Sequence, residues 1–507
     1  MSLDPRTPVL VGCAQITQRA DDLDDALDPL DLMEAAARDA ATDAGATDLL
    51  RRIDSIRIPH GVWRFGNAAH LLAQRLGCEG CETGLGPVSG ATVQIMLSRG
   101  AEDIRDGRRD VVLLASGEAE HWKRRARGAG KALPPWTAFG AWDPHDGSDG
   151  TPAPDQRFGG DGDQTQWWER KYRAQAMQGF ALYENEMRHR RGESLTDHRA
   201  RIASLWAGFA AVAADNPHAW IRSAPDAEEI ATPTAANRMV GYPYTKLMVA
   251  NMVVDQGAAL LMCSVETARA LGIREERFVY PHASAEATRT HEISQRPDLA
   301  SQPAIGLVGR KAFELANTEA GAIDNVDLYS CFPAAVQMAA HELGYSLDRE
   351  LTVTGGLTFS GGPLNSYVMH SIAGTMRRLR ERGAAGRRET ALVSSIGGFI
   401  AKHAVAIYGL DPAASPGFRH ARVDAEAGTL PRREFHEDFA GDGRVETFAV
   451  MPGKDGAQDH LLLSCGVDDG ARAWGLCRDP DIVGSVHREE LCGRRVSLRA
   501  DGEAEIL

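Results

Sequence analysis

The sequence predicts an α/β protein: a layered α/β/α/β/α body built from two duplicated halves, followed by a small all-β domain. Three observations carry that prediction. Short strand-like runs alternate with helix-period segments of roughly 10–15 residues, the pattern of mixed sheets covered on their faces. One ordered unit, namely strand, helix, strand, glycine turn, helix, basic pair and strand, occurs twice. After about Pro412 the helical periods give way to short alternating runs separated by Gly and Asp turns.

In the first copy, Pro8–Gly12 reads as a strand and Leu30–Ala44 as an alanine-rich helix that Gly45 ends; strand Ile53–Ile58 follows. Gly90 opens a helix over Ala91–Ile104, and Arg108-Arg109-Asp110 leads into strand Val111–Ala115. An insertion over Glu118–Asn237, rich in Trp, Arg, Gly and Pro, has helical segments at Gln175–Arg188 and Asp197–Ala214. An insertion of that composition with a helical middle predicts an ordered lid or loop domain. The apolar run Lys246–Leu261 reads as a helix returning the chain to the core. In the second copy, strand Arg277–Ala283, helix Pro303–Asn317 with Gly321 behind it, and strand Asn325–Tyr329 come first. Gly362 then opens a helix near Asn365–Arg382, and Arg387-Arg388-Glu389 leads into strand Thr390–Ser394. The runs Arg444–Val450, His460–Cys465, Ala473–Leu476 and Arg495–Arg499 complete a small barrel (OB-like) or sandwich. The resulting division is 1–117 with 238–275 as the first half and 118–237 as the insertion. Residues 276–411 form the second half and 412–507 the accessory β domain.

The chain has 507 residues, 43% hydrophobic and 25% charged, with a net charge of −14. That balance argues against nucleic acid or an anionic membrane as the main partner. No window approaches a membrane-spanning apolar length. Met1–Thr7 lacks the charged and apolar regions of a secretory signal, and eight scattered cysteines fit a reducing compartment, so a cytoplasmic location is expected. Cys78-x-x-Cys81 has no second half, so neither a zinc nor a redox site is expected there, and no metal is expected. Gly84–Gly90 misses the dinucleotide fingerprint by one residue and contains Pro87, which sets that reading aside.

The glycine-rich stretch Gly355–Leu364 (Gly-Gly-Leu-Thr-Phe-Ser-Gly-Gly-Pro-Leu) is similar to the thiolase loop that ends Gly-His-Pro-Leu. Asp255-Gln256-Gly257-Ala258-Ala259 resembles the family's Asn-Asp-Gly-Ala-Ala run, and Val326–Phe332 resembles its strand ending in His-Asp-Cys-Phe. Ser395-Ile396-Gly397-Gly398 is similar to Cys-x-Gly-Gly. In that order the four segments resemble the thiolase superfamily, in particular its sterol-carrier-thiolase-like branch, over about residues 6–410. The resemblance implies a five-layered αβαβα fold, acyl-CoA as substrate or ligand, acyl transfer as the chemistry, no tightly bound cofactor, and a homodimer.

Thiolase chemistry needs a cysteine nucleophile, a second cysteine as base, and a histidine with an oxyanion site. On the resemblance, the nucleophile position falls at Gly90, or at Ser89 in the alternative register, and no cysteine lies between Cys81 and Cys263. The loop histidine is Gly362, the first residue of the His-Asp-Cys-Phe motif is Tyr329, and the base cysteine is Ser395. Candidate replacements are Cys331, a relocated nucleophile or a packed thiol; His403, a base or a structural histidine; and Tyr329, a donor to a thioester oxygen or a packed ring. His370 reads as a satisfied core histidine. For coenzyme A, the turns at Gly90, Gly361 and Gly362 before helices offer backbone N–H donors. The basic run Lys123, Arg124, Arg125, Arg127 and Lys131 could meet its phosphates, and Tyr244, Lys246 and Asn251 could line the cleft. The sequence leaves two functions open: altered acyl-transfer chemistry, or an acyl-CoA-binding or scaffolding protein without turnover.

Overall fold

The computed structural model describes residues 3–137, 150–158, 167–172, 174–413, 417–452 and 458–507. Parts of the insertion therefore lie outside the described residues. The first half begins with β1 (Pro8–Thr17), α1 (Pro29–Ala44), β2 (Ser55–Pro59), α2 (Ala68–Leu76), β3 (Glu82–Gly86), α3 (Thr92–Arg105) and β4 (Val111–Ala119). The insertion carries α4 (Glu120–Gly128), β5 (Gln156–Arg157), α5 (Trp167–Tyr172), α6 (Ala176–Arg191), α7 (Leu195–Asp215) and α8 (Ala227–Ala231). A two-stranded ribbon, β6 (Met239–Gly241) and β7 (Tyr244–Thr245), leads to β8 (Asp255–Ser264) and α9 (Val265–Ala270). The second half holds β9 (Tyr280–Ala287), α10 (Pro303–Ala316), β10 (Asn325–Asp327), α11 (Pro333–Leu343), α12 (Gly356–Phe359), α13 (Tyr367–Ala384), β11 (Thr390–Gly397) and β12 (Lys402–Gly409). Seven strands follow: β13 (Arg419–Arg422), β14 (Phe435–His436), β15 (Gly441–Pro452), β16 (Gln458–Val467), β17 (Arg472–Cys477), β18 (Arg495–Leu498) and β19 (Ala504–Ile506).

Local signals account for the helix ends. Asp28 and Asp31 form a capping box before Pro29 at the first turn of α1, and Gly45 closes that helix in the left-handed conformation (φ 74°). Five of its nine buried residues are alanine, so its C-terminal part lies close against the sheet, and the helix packs on β1, β4 and β8.

The duplication is visible in the sheets. Sheet one runs β1-β8-β4-β2-β3-β5 and sheet two β10-β11-β12-β9-β13. The four strands β1-β8-β4-β2 match β9-β12-β11-β10 in order and direction: two antiparallel pairings, then a parallel one. Helices α3 and α13 pack between the sheets, α1 and α2 cover the outer face of the first, and α10 and α11 lie outside the second. This is the expected five-layered body.

The apolar run that returns the chain to the core differs from the sequence expectation. Lys246–Leu261 is not a helix: Lys246–Met248 is a single 3₁₀ turn, and Asp255–Ser264 is the strand β8 between β1 and β4. A strand buried on both faces is apolar without alternation, so its run resembles that of a buried helix. Its counterpart β12 escaped the sequence reading for the same reason.

The C-terminal strands form a six-stranded sheet ordered β14-β17-β16-β15-β18-β19. Leu476 N–H donates to Gly502 O at 2.8 Å, returning the β19 end beside β17, so five strands curl into a partly closed barrel. The barrel is not isolated from the rest. Thr447 Oγ1 donates to Leu182 O at 2.6 Å and Asn185 Nδ2 to Phe448 O at 2.9 Å, which fastens β15 to α6. The Arg472 guanidinium, fully buried, donates to the carbonyls of Ile293 (2.9 Å) and Arg296 (2.8 Å) in the second half. No helix among the described residues is long and apolar enough to cross a membrane.

Candidate active site

The turn Pro87-Val88-Ser89-Gly90 joins β3 to α3 and meets the ends of β10 and β11. A Cβ placed on Gly90 would lie 2.3 Å from Ile396 O and 2.4 Å from Tyr329 Oη. The space that a side chain at position 90 would fill is therefore taken by the Tyr329 phenol and the β11 backbone. Ser89, the alternative register, is equally hemmed in, because a Cβ on Gly397 would fall 2.0 Å from its Oγ. Gly90 and Tyr329, the positions that the sequence resemblance aligns with catalytic groups, thus fit each other: glycine leaves the space and tyrosine occupies it.

Tyr329 is held by its own backbone N–H, which donates to Ser394 Oγ at 3.0 Å, and by edge contact with the Tyr367 ring at 5.7 Å. Its side chain is 7% exposed, and its hydroxyl makes no hydrogen bond among the described residues. Burial raises its pKa well above the usual phenol value, with Cys331 adding to the shift, so the group is a neutral O–H donor. Cys331 sits two residues on, before Pro333 opens α11, and burial pushes its thiol up to about 12. A thiol with that pKa is not a ready nucleophile at neutral pH.

The other replacements are spent or screened. Ser395 is 1% exposed, and its Oγ donates to Ala404 O at 3.1 Å across the strand pair. His403 is 1% exposed, neither ring nitrogen has a hydrogen-bond partner, and burial together with Arg296 holds its pKa down to about 3. His370 is likewise neutral, lowered to about 3 by burial, with Nδ1 3.2 Å from Gln15 Oε1.

The glycine loop folds differently from the sequence expectation. Gly356–Phe359 makes one helical turn, and α13 starts only at Tyr367, so Gly362 does not stand at a helix N-terminus. Its N–H is already given to Asn251 O at 2.9 Å. Gly361 has φ +111°, and a Cβ there would strike Gln256 Oε1 at 2.2 Å, which accounts for glycine at that position. Cys331 O accepts from Ala250 N–H at 2.9 Å, so the loop, the 250–251 segment and the Cys331 strand end are brought together.

The expected coenzyme A contacts are only partly assembled. Tyr244 is fully buried and its hydroxyl donates to Glu184 Oε2 at 2.9 Å, which removes it from the cleft. The basic run lies on helix α4 except for Lys131, which follows it. Lys123 is 2% exposed and paired with Glu120 at 2.7 Å, and Arg125 donates to Asp21 O at 2.6 Å. Arg124, Arg127 and Lys246 are exposed. Clefts of about 460, 550, 830 and 930 Å³ open elsewhere, none lined by Gly90, Tyr329 or Gly362. For a metal, His189, Glu490 and Cys492 bring ligand atoms within 4.8 Å of one another, but Arg188 already holds both Glu490 oxygens (2.5 and 2.7 Å).

Sequence reasoning missed Glu118. This carboxyl ends β4 beneath the loop after β2 and accepts from Val62 N–H at 3.0 Å; burial raises its pKa to about 8. That loop touches both glycine turns, since His60 N–H donates to Gly86 O (3.0 Å) and Asn365 Nδ2 donates to His60 O (2.5 Å). An acidic residue ending an otherwise apolar strand was the only sequence signal for it.

No family model matches the chain. An acetyl-CoA acetyltransferase of Methanothermobacter thermautotrophicus is 28% identical over 218 residues, covering 39% of this chain and 54% of the relative. The chain thus matches about half the length of that curated relative. Among solved structures, the monomeric SCP2-thiolase-like protein type 1 of Mycobacterium smegmatis superposes with TM-score 0.82 at 28% identity, over 100% of both chains. Human mitochondrial 3-ketoacyl-CoA thiolase in complex with CoA has TM-score 0.54 at 15% identity, over 80% of this chain and 98% of that one, a likeness of fold.

Proposed function

We propose that this chain, a member of the thiolase superfamily, binds an acyl-CoA or related thioester without forming the covalent acyl-enzyme of thiolase turnover. One observation carries the reading: the Tyr329 hydroxyl stands 2.4 Å from where a nucleophile's Cβ would be at position 90. A cysteine there has no room, and Cys331, its thiol raised to about 12, is a poor substitute. What the geometry retains is a neutral phenol with an unused O–H in the pocket position. Such a donor suits the carbonyl oxygen of a bound thioester, which it would orient and polarise without bonding to carbon. Arg124 and Arg127 on α4, with Lys246, are exposed and form no ion pair among the described residues, which leaves them available for coenzyme A phosphates.

The test is calorimetric titration with CoA and acetyl-CoA alongside intact mass spectrometry after incubation with acetyl-CoA and 3-ketoacyl-CoA. Saturable binding with an unchanged protein mass is expected. Tyr329→Phe should weaken the thioester by roughly 2–10-fold, one hydrogen bond's worth, while leaving free CoA unaffected. An acyl adduct lost in Cys331→Ala would instead establish relocated acyl transfer, and no binding at all would end the acyl-CoA reading.

The same reading extends to assembly. The edge strand of the first sheet at that side is β5, which has two residues and pairs only with Gly84 and Leu85 of β3, too short a strand for a second copy to extend. A monomer is therefore proposed in place of the homodimer, to be checked by light scattering on the eluting protein.

A further inference from the structure

We propose that Cys78 and Cys81 form a reversible disulfide, a redox-modification site that exchanges with small-molecule disulfides. The pair lies outside the group of residues around Gly90 and Tyr329. Helix α2 ends at Leu76 with Gly77 in the left-handed conformation (φ 73°), and the chain then reverses over Cys78-Glu79-Gly80-Cys81. Cys81 N–H donates to Cys78 O at 3.2 Å and Gly80 has φ +89°. A first-to-fourth hydrogen bond with a left-handed glycine third describes a type II turn. Such a turn brings its first and fourth Cα atoms within about 7 Å, and a disulfide spans about 4.4–6.8 Å. The backbone is thus already in a shape that the bridge requires.

The thiols also sense each other. The Cys78 thiol donates to Ala73 O at 3.8 Å, and the closeness of the two thiols lowers the pKa of Cys78 and raises that of Cys81. Access is asymmetric: Cys78 is 6% exposed and Cys81 is half-buried, and both line a surface cleft of about 830 Å³ that mixes Arg51, His70 and Arg109 with the carboxylates of Asp54, Glu79, Glu82 and Asp155. A metal is the poorer explanation, because two sulfurs leave a tetrahedral set incomplete. Among the described residues the group of three or more ligand atoms lies instead at His189, Glu490 and Cys492.

The chemistry is ordinary exchange with a disulfide such as oxidised glutathione. One cysteine thiolate attacks a sulfur of the oxidant; the oxidant's S–S bond breaks and half of it leaves as a thiolate. The second cysteine gives its proton to a thiolate leaving group and attacks the mixed disulfide, which expels the other half. The pair loses two electrons and two protons, and the oxidant is reduced to two thiols. Closing the bridge ties the end of α2 to the start of β3.

Trypsin cutting after Arg75 and Arg99 releases both cysteines on one peptide, 76–99. The full-length protein is equilibrated with oxidised glutathione, quenched in acid, denatured, alkylated with N-ethylmaleimide and mapped by mass. The expected peptide is two hydrogens lighter than the reduced one and unalkylated, and dithiothreitol restores double alkylation. Cys78→Ser should hold glutathione on Cys81, and Cys81→Ser should leave peptide 76–99 without an internal bridge. A native peptide still doubly alkylated after oxidation, or one that keeps glutathione instead of closing, would overturn the proposal.

Discussion

Replacing Gly90 with alanine probes the fit between the two altered catalytic positions directly. The new Cβ would lie 2.3 Å from Ile396 O, 2.4 Å from Tyr329 Oη and 2.7 Å from Tyr329 Cζ, where ordinary contacts are 3.4–4 Å. Each neighbour must therefore yield by about 1 Å, and interiors packed at crystal-like density resist such shifts. Overpacking of this kind costs on the order of 1–3 kcal/mol. Ile396 cannot move freely, since it is paired with His403 within the β11–β12 ladder. Tyr329 can be removed. In a Tyr329→Ala background two of the three close contacts disappear, so Gly90→Ala should cost less there, with a coupling of roughly 1–2 kcal/mol. Urea unfolding followed by tryptophan fluorescence, with the four proteins of the cycle compared at equal slope, measures that coupling. A Gly90→Ala protein as stable as the parent, or strictly additive costs, would refute the claim that Tyr329 occupies the vacated space.

Glu118→Gln should make stability less dependent on pH. The folded carboxyl is raised from 4.5 to about 8, so the native state binds the extra proton, and its stabilisation is complete below about pH 4.5 and lost as pH rises through 8. The substitution should flatten melting temperature between those values and stabilise the protein at pH 9, by up to about 5 kcal/mol at 1.36 kcal/mol per unit; an unchanged pH profile would count against the raised value. Cys331, pushed up to about 12, should alkylate with iodoacetamide at pH 8 at least about tenfold more slowly than in denaturant, as peptide mapping over time would show. Arg472→Met would leave the Ile293 and Arg296 carbonyls without their buried donor, at about 3–5 kcal/mol, and should speed proteolytic release of the C-terminal barrel; unaltered digestion kinetics would place the anchoring elsewhere.

Much of the fold was legible because its signals are local. The Gly45 cap, the repeated Arg-Arg pair before Val111 and before Thr390, and the turn-separated runs after Pro412 all act within a few residues. Reading failed at Asp255–Ser264 and Lys402–Gly409, the inner strands beside the two edges of the duplicated core. Their neighbours on both faces come from distant segments, and no local period marks a strand that is apolar on both sides.

The candidate site divides the same way. Sequence alone determined which reactive side chains are absent: no thiol near Gly90, no imidazole at Gly362, a serine at 395 and a tyrosine at 329. Tertiary structure decided what those absences mean. It placed Tyr329 Oη where a side chain at Gly90 would stand, buried Tyr244 against Glu184, and spent the Gly362 N–H on Asn251. Residue identity is a property of one position, whereas volume, hydrogen bonds and proton affinity depend on whichever atoms the fold brings to that position from elsewhere in the chain.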